Sequence, residues 1–429
     1  IFAVEPVFYN EFAMAAGGIP FLLSHLRLSL PLYGAALLLL VLFGAFVVML
    51  TRLLLDEGVA ITLTRWSRVA LLALIVGMLF SAVQFRAALA QPEMVVSSLG
   101  YKLQRNVSES LARYEETGSF DVRPVYAAYD YGELDLAETP NIYLIFVESY
   151  GSVLYKRPDF KDLYTKLATE LDAELGENGW QSRSALTLSP TWGGGSWMSY
   201  TSALFGLRID HHPQFLMLFN RFQEDDYPDL GNYLQSQGYE YTWLTSLATD
   251  LKESSWDRYR AFYGTDQWLR RDDLNFVGQE YAWGPAPPDQ YSLNYTRQSI
   301  QERAVSPYFL FFITQTSHYP WTHLPELVDD WESLNQPAAD ELETIDADAM
   351  EHGTRRANYM QAIEYELRML VDFILTEETD AIFVLVGDHQ PPRVSRRDDG
   401  FQTPIHVISR DEAFLAEFDA QGFVDGWTV

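Results

Sequence analysis

The chain has 429 residues, a formal net charge of -29 and no cysteine. The length accommodates a membrane segment plus one large domain. The charge excludes a nucleic-acid binder, because phosphate backbones are met by basic surfaces, and the missing thiol excludes disulfides, thiolate metal sites and a cysteine nucleophile.

Lysine occurs only at Lys102, Lys156, Lys161, Lys166 and Lys252, whereas Asp and Glu total 59. Such a surface fits either a salt-adapted protein or an acidic exported domain. From Leu28 to Thr51 there is no charge, and the core reads LPLYGAALLLLVLFGAFVVML. That run is long enough to span a bilayer. A second apolar run lies between Arg68 and Arg86; at about 17 residues it is short for a span, and a helical hairpin with spans at about 28–51 and 69–85 is the expectation. The intervening loop carries Arg52, Arg65 and Arg68, so the positive-inside rule puts it in the cytoplasm and everything after Arg86 outside. An outside N-terminus without an initiator Met implies earlier spans upstream. Residues 1–86 are thus expected as a membrane region, 87–139 as a connector and 140–429 as the globular domain, on the outer face of the inner or plasma membrane.

The domain opens with a predicted strand over Ile142–Val147, an apolar run that ends in Glu148. Such runs read as buried parallel strands, and in open α/β sheets ligands sit beyond the strands' carboxyl ends. Glu148 is therefore either a hard oxygen ligand for a divalent cation or an ordinary strand-end carboxylate. A helix is expected over Asp159–Gly176. The run Gly193-Gly194-Gly195-Ser196 then precedes a helix over Ser196–Phe205. Glycines let the backbone approach a phosphate at a helix N-terminus. Ser196 is a helix cap or, with a metal lowering its hydroxyl pKa, a nucleophile; Thr191 and Ser199 compete for that role.

Further helices are expected at Pro228–Gln237 and Ser254–Phe262, and strands at Glu240–Leu244 and Pro307–Thr314. In SSWDRYRAFYG, Trp256 and Arg258 could form a phosphate-and-headgroup pocket, since Arg binds phosphate bidentately, or could be a core Trp and a surface ion pair. Arg270–Gln301 reads as a long loop near the site. His318, after the FLFFIT strand, either donates to a phosphoryl oxygen or leaving group or packs in a turn. Thr354–Thr376 has the clearest amphipathic spacing. The strand Ala381–Val386 leads into Gly387-Asp388-His389. A carboxylate and an imidazole together there suit Zn²⁺ or Mn²⁺; the competing reading is a capped turn. A last strand is expected at Pro404–Ile408. Alternating strands and helices give an α/β domain with a mostly parallel sheet flanked by helices.

In this order the segments PNIYLIFVESYG, GGGSWMSYTSALFG, SSWDRYRAFYG, TQTSHYPW and LVGDHQPP resemble the alkaline phosphatase/sulfatase superfamily, over roughly Pro140 to Arg410. The nearest branch is the membrane-anchored, sulfatase-like group that includes lipoteichoic acid synthases and phosphoglycerol transferases. The resemblance implies an alkaline-phosphatase-like sheet and a metal held by Glu148, Ser196, Asp388 and His389. It implies Ser196 as nucleophile, with Trp256, Arg258 and His318 around the substrate. It also implies transfer or hydrolysis of a phospholipid headgroup or envelope glycan phosphodiester through a phosphoserine, with Mn²⁺, Zn²⁺ or Mg²⁺. Three departures matter. Ser196 is followed by Trp197, Met198, Ser199 and Tyr200, not by the sulfatase modification signature. Glu148-Ser149 stands where sulfatases tend to show an Asp pair, which implies one metal ion. The pocket His of lipoteichoic acid synthases is missing near Thr245-Ser246. The alternatives are a sulfuric or phosphoric ester hydrolase and a non-catalytic envelope binding module.

Overall fold

The computed structural model describes residues 134–223, 227–247, 251–281, 286–338, 342 and 349–428, and before them 7–12, 38, 41–49, 52, 64–67, 69, 72–73, 76–77, 99–121, 126 and 131. The chain forms two compact units, Pro6–Gly118 and Ser119–Val429 (with Ile1–Glu5). In the first, helix α1 (Leu99–Gly118) is the longest described element, and its Asn106 side chain accepts the Phe8 amide at 2.7 Å. The expected spans 28–51 and 69–85 fall in large part outside the described residues. No helix among the described residues is long and apolar enough to cross a membrane.

The second unit is built on one eight-stranded sheet of order β4-β3-β5-β1-β6-β7-β2-β8. Its strands are β1 (Asn141–Val147), β2 (Gln181–Leu188), β3 (Glu240–Thr245), β4 (Gln267–Arg270), β5 (Tyr308–Ile313), β6 (Ala381–Gly387), β7 (Gln402–Ser409) and β8 (Val424–Asp425). β4, β3, β5, β1 and β6 are mutually parallel. β7 runs antiparallel to both β6 and β2, and β8 antiparallel to β2, so the mostly parallel sheet is as expected while β7 and β8 run against it.

Side chains of successive strand residues point to opposite faces, and β1 shows what this does here. Tyr143, Ile145 and Val147 enter one core with helices α2 (Pro158–Glu177), α7 (Asp289–Glu302) and α8 (His352–Leu375). Leu144 and Phe146 enter the other, with α3 (Ser196–Phe205), α4 (His212–Arg221), α5 (Leu230–Ser236) and α6 (Glu253–Tyr263). A strand apolar on both sides must be covered on both sides, and the result is a three-layer α/β/α arrangement. Full burial of each such side chain is worth about 1.5–3 kcal/mol.

The sequence expectation fails at Arg270–Gln301. That segment is not one long loop, because α7 occupies its second half. α7 buries polar residues alongside its core contacts Tyr291, Leu293 and Ile300, and Arg297 donates to the Phe373 carbonyl at 2.9 Å and to Thr376 Oγ1 at 2.7 Å. Hydropathy therefore gives no helical signal there.

Candidate active site

The central trio β5-β1-β6 is parallel and in register, with Val147 opposite Gly387 and Phe146 opposite Ile313. Strands lie about 4.8 Å apart, so the residues just beyond Val147, Ile313 and Gly387 are brought together. These are Glu148, the 314–318 turn and Asp388-His389. β2 also ends on this side of the sheet, and the segment after it crosses back to β6: Ser189 Oγ donates to the Asp388 carbonyl at 2.5 Å, and the Gln390 amide donates to the Trp192 carbonyl at 3.0 Å. This crossing delivers Ser196 to a site whose other members come from strands two and three places away, β6 and β1.

Gly195 adopts φ 76° just before α3, a left-handed conformation that favours glycine. Ser196 begins the helix, and the residue before it supplies no side-chain cap. Ser196 Oγ donates to Glu148 Oε2 at 3.2 Å and lies 3.4 Å from His389 Nε2. The competing hydroxyls have other partners. Ser199 Oγ donates to the Asp388 carbonyl at 2.7 Å, and Thr191 Oγ1 contacts Ser199 Oγ at 3.2 Å.

Glu148, Asp388 and His389 are buried and present ligand atoms all within 4.8 Å of one another. His389 Nε2 is 3.5 Å from Glu148 Oε1 and 3.3 Å from Asp388 Oδ2. Its Nδ1 sits 2.9 Å from the Gln390 carbonyl, which fixes the proton on Nδ1 and turns the Nε2 lone pair toward the carboxylates. Asp388 Oδ1 accepts the Ser149 and His389 amides at 2.8 and 2.7 Å, whereas Oδ2 is buried without a hydrogen-bond donor. Among the described residues no Lys or Arg pairs with either carboxylate. Burial, and then the neighbouring Glu148 charge, push the Asp388 carboxyl up to about 8; burial raises Glu148 and lowers His389. Two buried carboxyls, an aimed imidazole lone pair and an orphaned carboxylate oxygen form a site short of one positive charge. A divalent cation with mixed nitrogen and oxygen ligands fits that donor set.

His318 Nδ1 lies 2.6 Å from the Tyr319 carbonyl. Burial lowers its pKa, partly offset by the Tyr319 carbonyl and then by the Asp388 charge. His318 in turn acts on His389, so the ring is within electrostatic reach of the cluster. Trp256 and Arg258 have partners of their own on neighbouring elements. Arg258 donates to Asn220 Oδ1 at 2.8 Å and to Gln223 Oε1 at 3.3 Å, and covers the Phe219 ring. Trp256 packs edge-on to Trp268. The structure thus groups Glu148, Ser196, Asp388 and His389, brings His318 near, and ties Arg258 to α4.

Several supporting groups escaped the sequence reading. Ser149, at φ 60°, donates its hydroxyl to Glu148 Oε1 at 2.9 Å. Thr314 Oγ1 accepts the Glu148 amide at 3.0 Å, and Ser317 Oγ donates to the Glu148 carbonyl at 2.8 Å. Gly387 passes so close to the Tyr150 carbonyl that no Cβ would fit. Only the hydroxyl-rich flanks ESYG and TQTS hinted at these groups, and Ser and Thr are too common for that hint to single them out.

No protein-family model matches the chain, and no curated protein matches its sequence. Solved structures do. The lipoteichoic acid synthase LtaP from Listeria monocytogenes is 14% identical, with a TM-score of 0.44 over 68% of this chain and 71% of that one. A protein in the alkaline phosphatase superfamily from Vibrio parahaemolyticus is 16% identical, with a TM-score of 0.43 over 69% and 70%. The Streptococcus pyogenes phosphoglycerol transferase GacH, in complex with sn-glycerol-1-phosphate, is 12% identical, with a TM-score of 0.43 over 69% and 75%.

Proposed function

We propose that the domain is a divalent-metal-dependent phosphotransferase or phosphodiesterase of the cell envelope, with Ser196 as the nucleophile and a phospholipid headgroup or envelope glycan phosphodiester as substrate. One observation carries the reading: the Ser196 hydroxyl, at the start of its helix, faces the buried Glu148/Asp388/His389 cluster in which Asp388 Oδ2 has no hydrogen-bond donor. A divalent cation held by Glu148, Asp388 and His389 would offset the buried negative charge, lower the Ser196 hydroxyl pKa and polarise a phosphoryl oxygen. The mixed donor set suits Mn²⁺ or Zn²⁺ better than Mg²⁺.

Ser196 Oγ attacks phosphorus, the Ser196 O–P bond forms, and the bond from phosphorus to the leaving alcohol breaks. Overall the hydroxyl proton of Ser196 passes to that alcohol, giving a phosphoserine. In the second half an acceptor alcohol or water attacks the phosphoserine and returns the proton to Ser196. His318 serves both halves. Neutral at the start, with its proton on Nδ1 held by the Tyr319 carbonyl, it relays through Nε2: in the first half it takes the proton that Ser196 releases and passes it to the leaving alcohol, and in the second it takes the acceptor's proton and returns it to Ser196. The α3 N-terminus adds a positive helix-dipole end beside the attacked group. Membrane attachment belongs to the same reading: within 41–49 the helical residues Val41, Phe43, Phe46 and Met49 leave apolar side chains exposed.

The test is to load the protein with Mn²⁺ or Zn²⁺, offer phosphodiesters, phosphomonoesters and sulfate esters, and look for an adduct by mass spectrometry. A phosphoryl or phosphoglycerol group on Ser196 is expected. Metal-loaded protein that stays unmodified with every ester would refute the reading.

A further inference from the structure

Asp289 and Glu366 are fully buried acids outside the cluster described above. Asp289 is the first residue of α7 but caps nothing in its own helix. Its Oδ2 reaches across to accept the amides of Gln315 and Thr316, each at 2.7 Å. Those amides belong to the turn after β5. The same turn holds Glu148 on both sides, through Thr314 Oγ1 on its amide and Ser317 Oγ on its carbonyl. It ends in His318, whose amide donates back to the Gln315 carbonyl at 3.0 Å. Asp289 therefore anchors the turn that orients both Glu148 and His318.

Glu366 lies within α8 on the face that otherwise carries Ile363, Leu367 and Leu370 into the core. Its carboxyl interacts with Asp289 and with Thr314. Neither Glu366 oxygen nor Asp289 Oδ1 has a hydrogen-bond partner. Two adjacent buried carboxylates cannot both be ionised without a large desolvation and repulsion cost. A single proton resolves this. Asp289, with two amide donors on Oδ2, is the better anion, and Glu366, with no such donors, keeps the proton and can donate it to Oδ1. The raised carboxyls agree: burial lifts Asp289 to about 6 and Glu366 well above its ordinary value. The buried Tyr365 hydroxyl has no hydrogen-bond partner, and it is raised first by its own burial and then by the Glu366 and Asp289 charges.

We propose that Asp289 and Glu366 are a proton-sharing positioning pair that clamps the 314–318 turn and, through it, sets the Glu148 backbone and the His318 ring for the reaction. The catalytic part of this proposal rests on the function proposed above; the clamp itself does not.

Two readouts separate them. The first is amide hydrogen exchange over 314–318, which needs no activity. Asp289→Ala and Glu366→Leu are expected to speed exchange at Gln315 and Thr316 by at least about tenfold, whereas Asp289→Asn, whose carbonyl still accepts both amides, and Glu366→Gln, which still donates, keep most of the protection. The second is Mn²⁺ affinity by calorimetry, expected to fall about 10- to 100-fold in Asp289→Ala, as for other groups that orient metal ligands, and to recover in Asp289→Asn. An infrared difference spectrum of Glu366→Gln against the parent should show loss of one protonated-carboxyl band at neutral pH. Unchanged 314–318 exchange in a folded Asp289→Ala protein overturns the clamp, and an absent carboxyl band overturns the shared proton. A parent protein that binds no Mn²⁺ or Zn²⁺ defeats the proposed function instead, while the exchange result still decides the clamp.

Discussion

Ser196 differs from Ser199, Thr201 and Ser202 in what its hydroxyl faces. Thr201 and Ser202 donate back to the carbonyls of Trp197 and Met198 within their own helix, the usual fate of a helical hydroxyl, and Ser199 is held by Asp388. Ser196→Ala is therefore expected to lower turnover on the order of 10³-fold or more while Mn²⁺ affinity, measured by calorimetry, changes little. Ser199→Ala should keep the adduct-forming hydroxyl and cost about 1–2 kcal/mol of stability through the lost bond to the Asp388 carbonyl, read by chemical denaturation. Asp388 fixes the pH behaviour. Its carboxyl moves from an ordinary 3.8 up to about 8 in the folded, metal-free protein, so between those values the folded state binds more protons than the unfolded one. Metal-free stability should then fall as pH rises from about 4 to 8. Metal affinity should rise over the same interval, because binding must expel that proton. Denaturation curves with and without Mn²⁺ check both signs; metal-free stability that climbs with pH across this window would contradict the assignment.

At the level of strands and helices, the site depends on two devices: the crossing from β2 to α3, and the three neighbouring parallel strand ends. Gly195 lets the chain turn into α3 at φ 76°, and a Cβ there would stand 2.8 Å from Met198 Cε. Gly195→Ala should cost about 1–2 kcal/mol from the left-handed backbone alone, and should reduce turnover further than this by displacing Ser196, as a stability curve beside a kinetic assay will show. β5 is secured from below by Phe311, which is fully buried against Trp243, with ring centroids 3.9 Å apart. Phe311→Ala is expected to cost about 3–5 kcal/mol without altering any group in the site. The loss belongs in the denaturation midpoint, with the pH profile of the remaining folded protein unchanged.

For the molecule as a whole, the formal net charge of -29 sets the response to salt. Self-repulsion of that size is screened as ionic strength rises, because the Debye length drops from about 10 Å at 0.1 M to about 3 Å at 1 M. The melting temperature should climb between low and molar NaCl. Equal melting temperatures across that range would sink the salt-adaptation reading and leave the acidic exported domain. The buried pair Arg157–Asp399, at 2.7 Å, is shielded from this screening and contributes nothing to the expected trend.

β1, β5 and β6 were legible because strands buried on both faces must be apolar throughout, and their sequences NIYLIFV, YFLFFI and AIFVLVG are nearly so. The residues just past them, Glu148 and Asp388-His389, came from the rule that ligands gather at parallel strand ends. α8 declared itself by periodicity. β2, with the mixed sequence QSRSALTL, and the polar helix α7 did not, because their stability comes from partners distant in the chain rather than from a local pattern. The sequence also left Ser196 undecided between cap and nucleophile, and offered Arg258 as a pocket residue. Only the folded chain decides where these side chains go: the segment after β2 carries Ser196 over β7 to Glu148 and His389, while Asn220 and Gln223 hold Arg258. The same holds for Asp289, which lies in a stretch that reads as a long loop, and for Glu366, which the amphipathic spacing of its helix does not single out. Local composition fixes which segments must be buried, and hence the sheet. Which polar groups end up facing each other depends on strand order and loop path, and no local pattern encodes those.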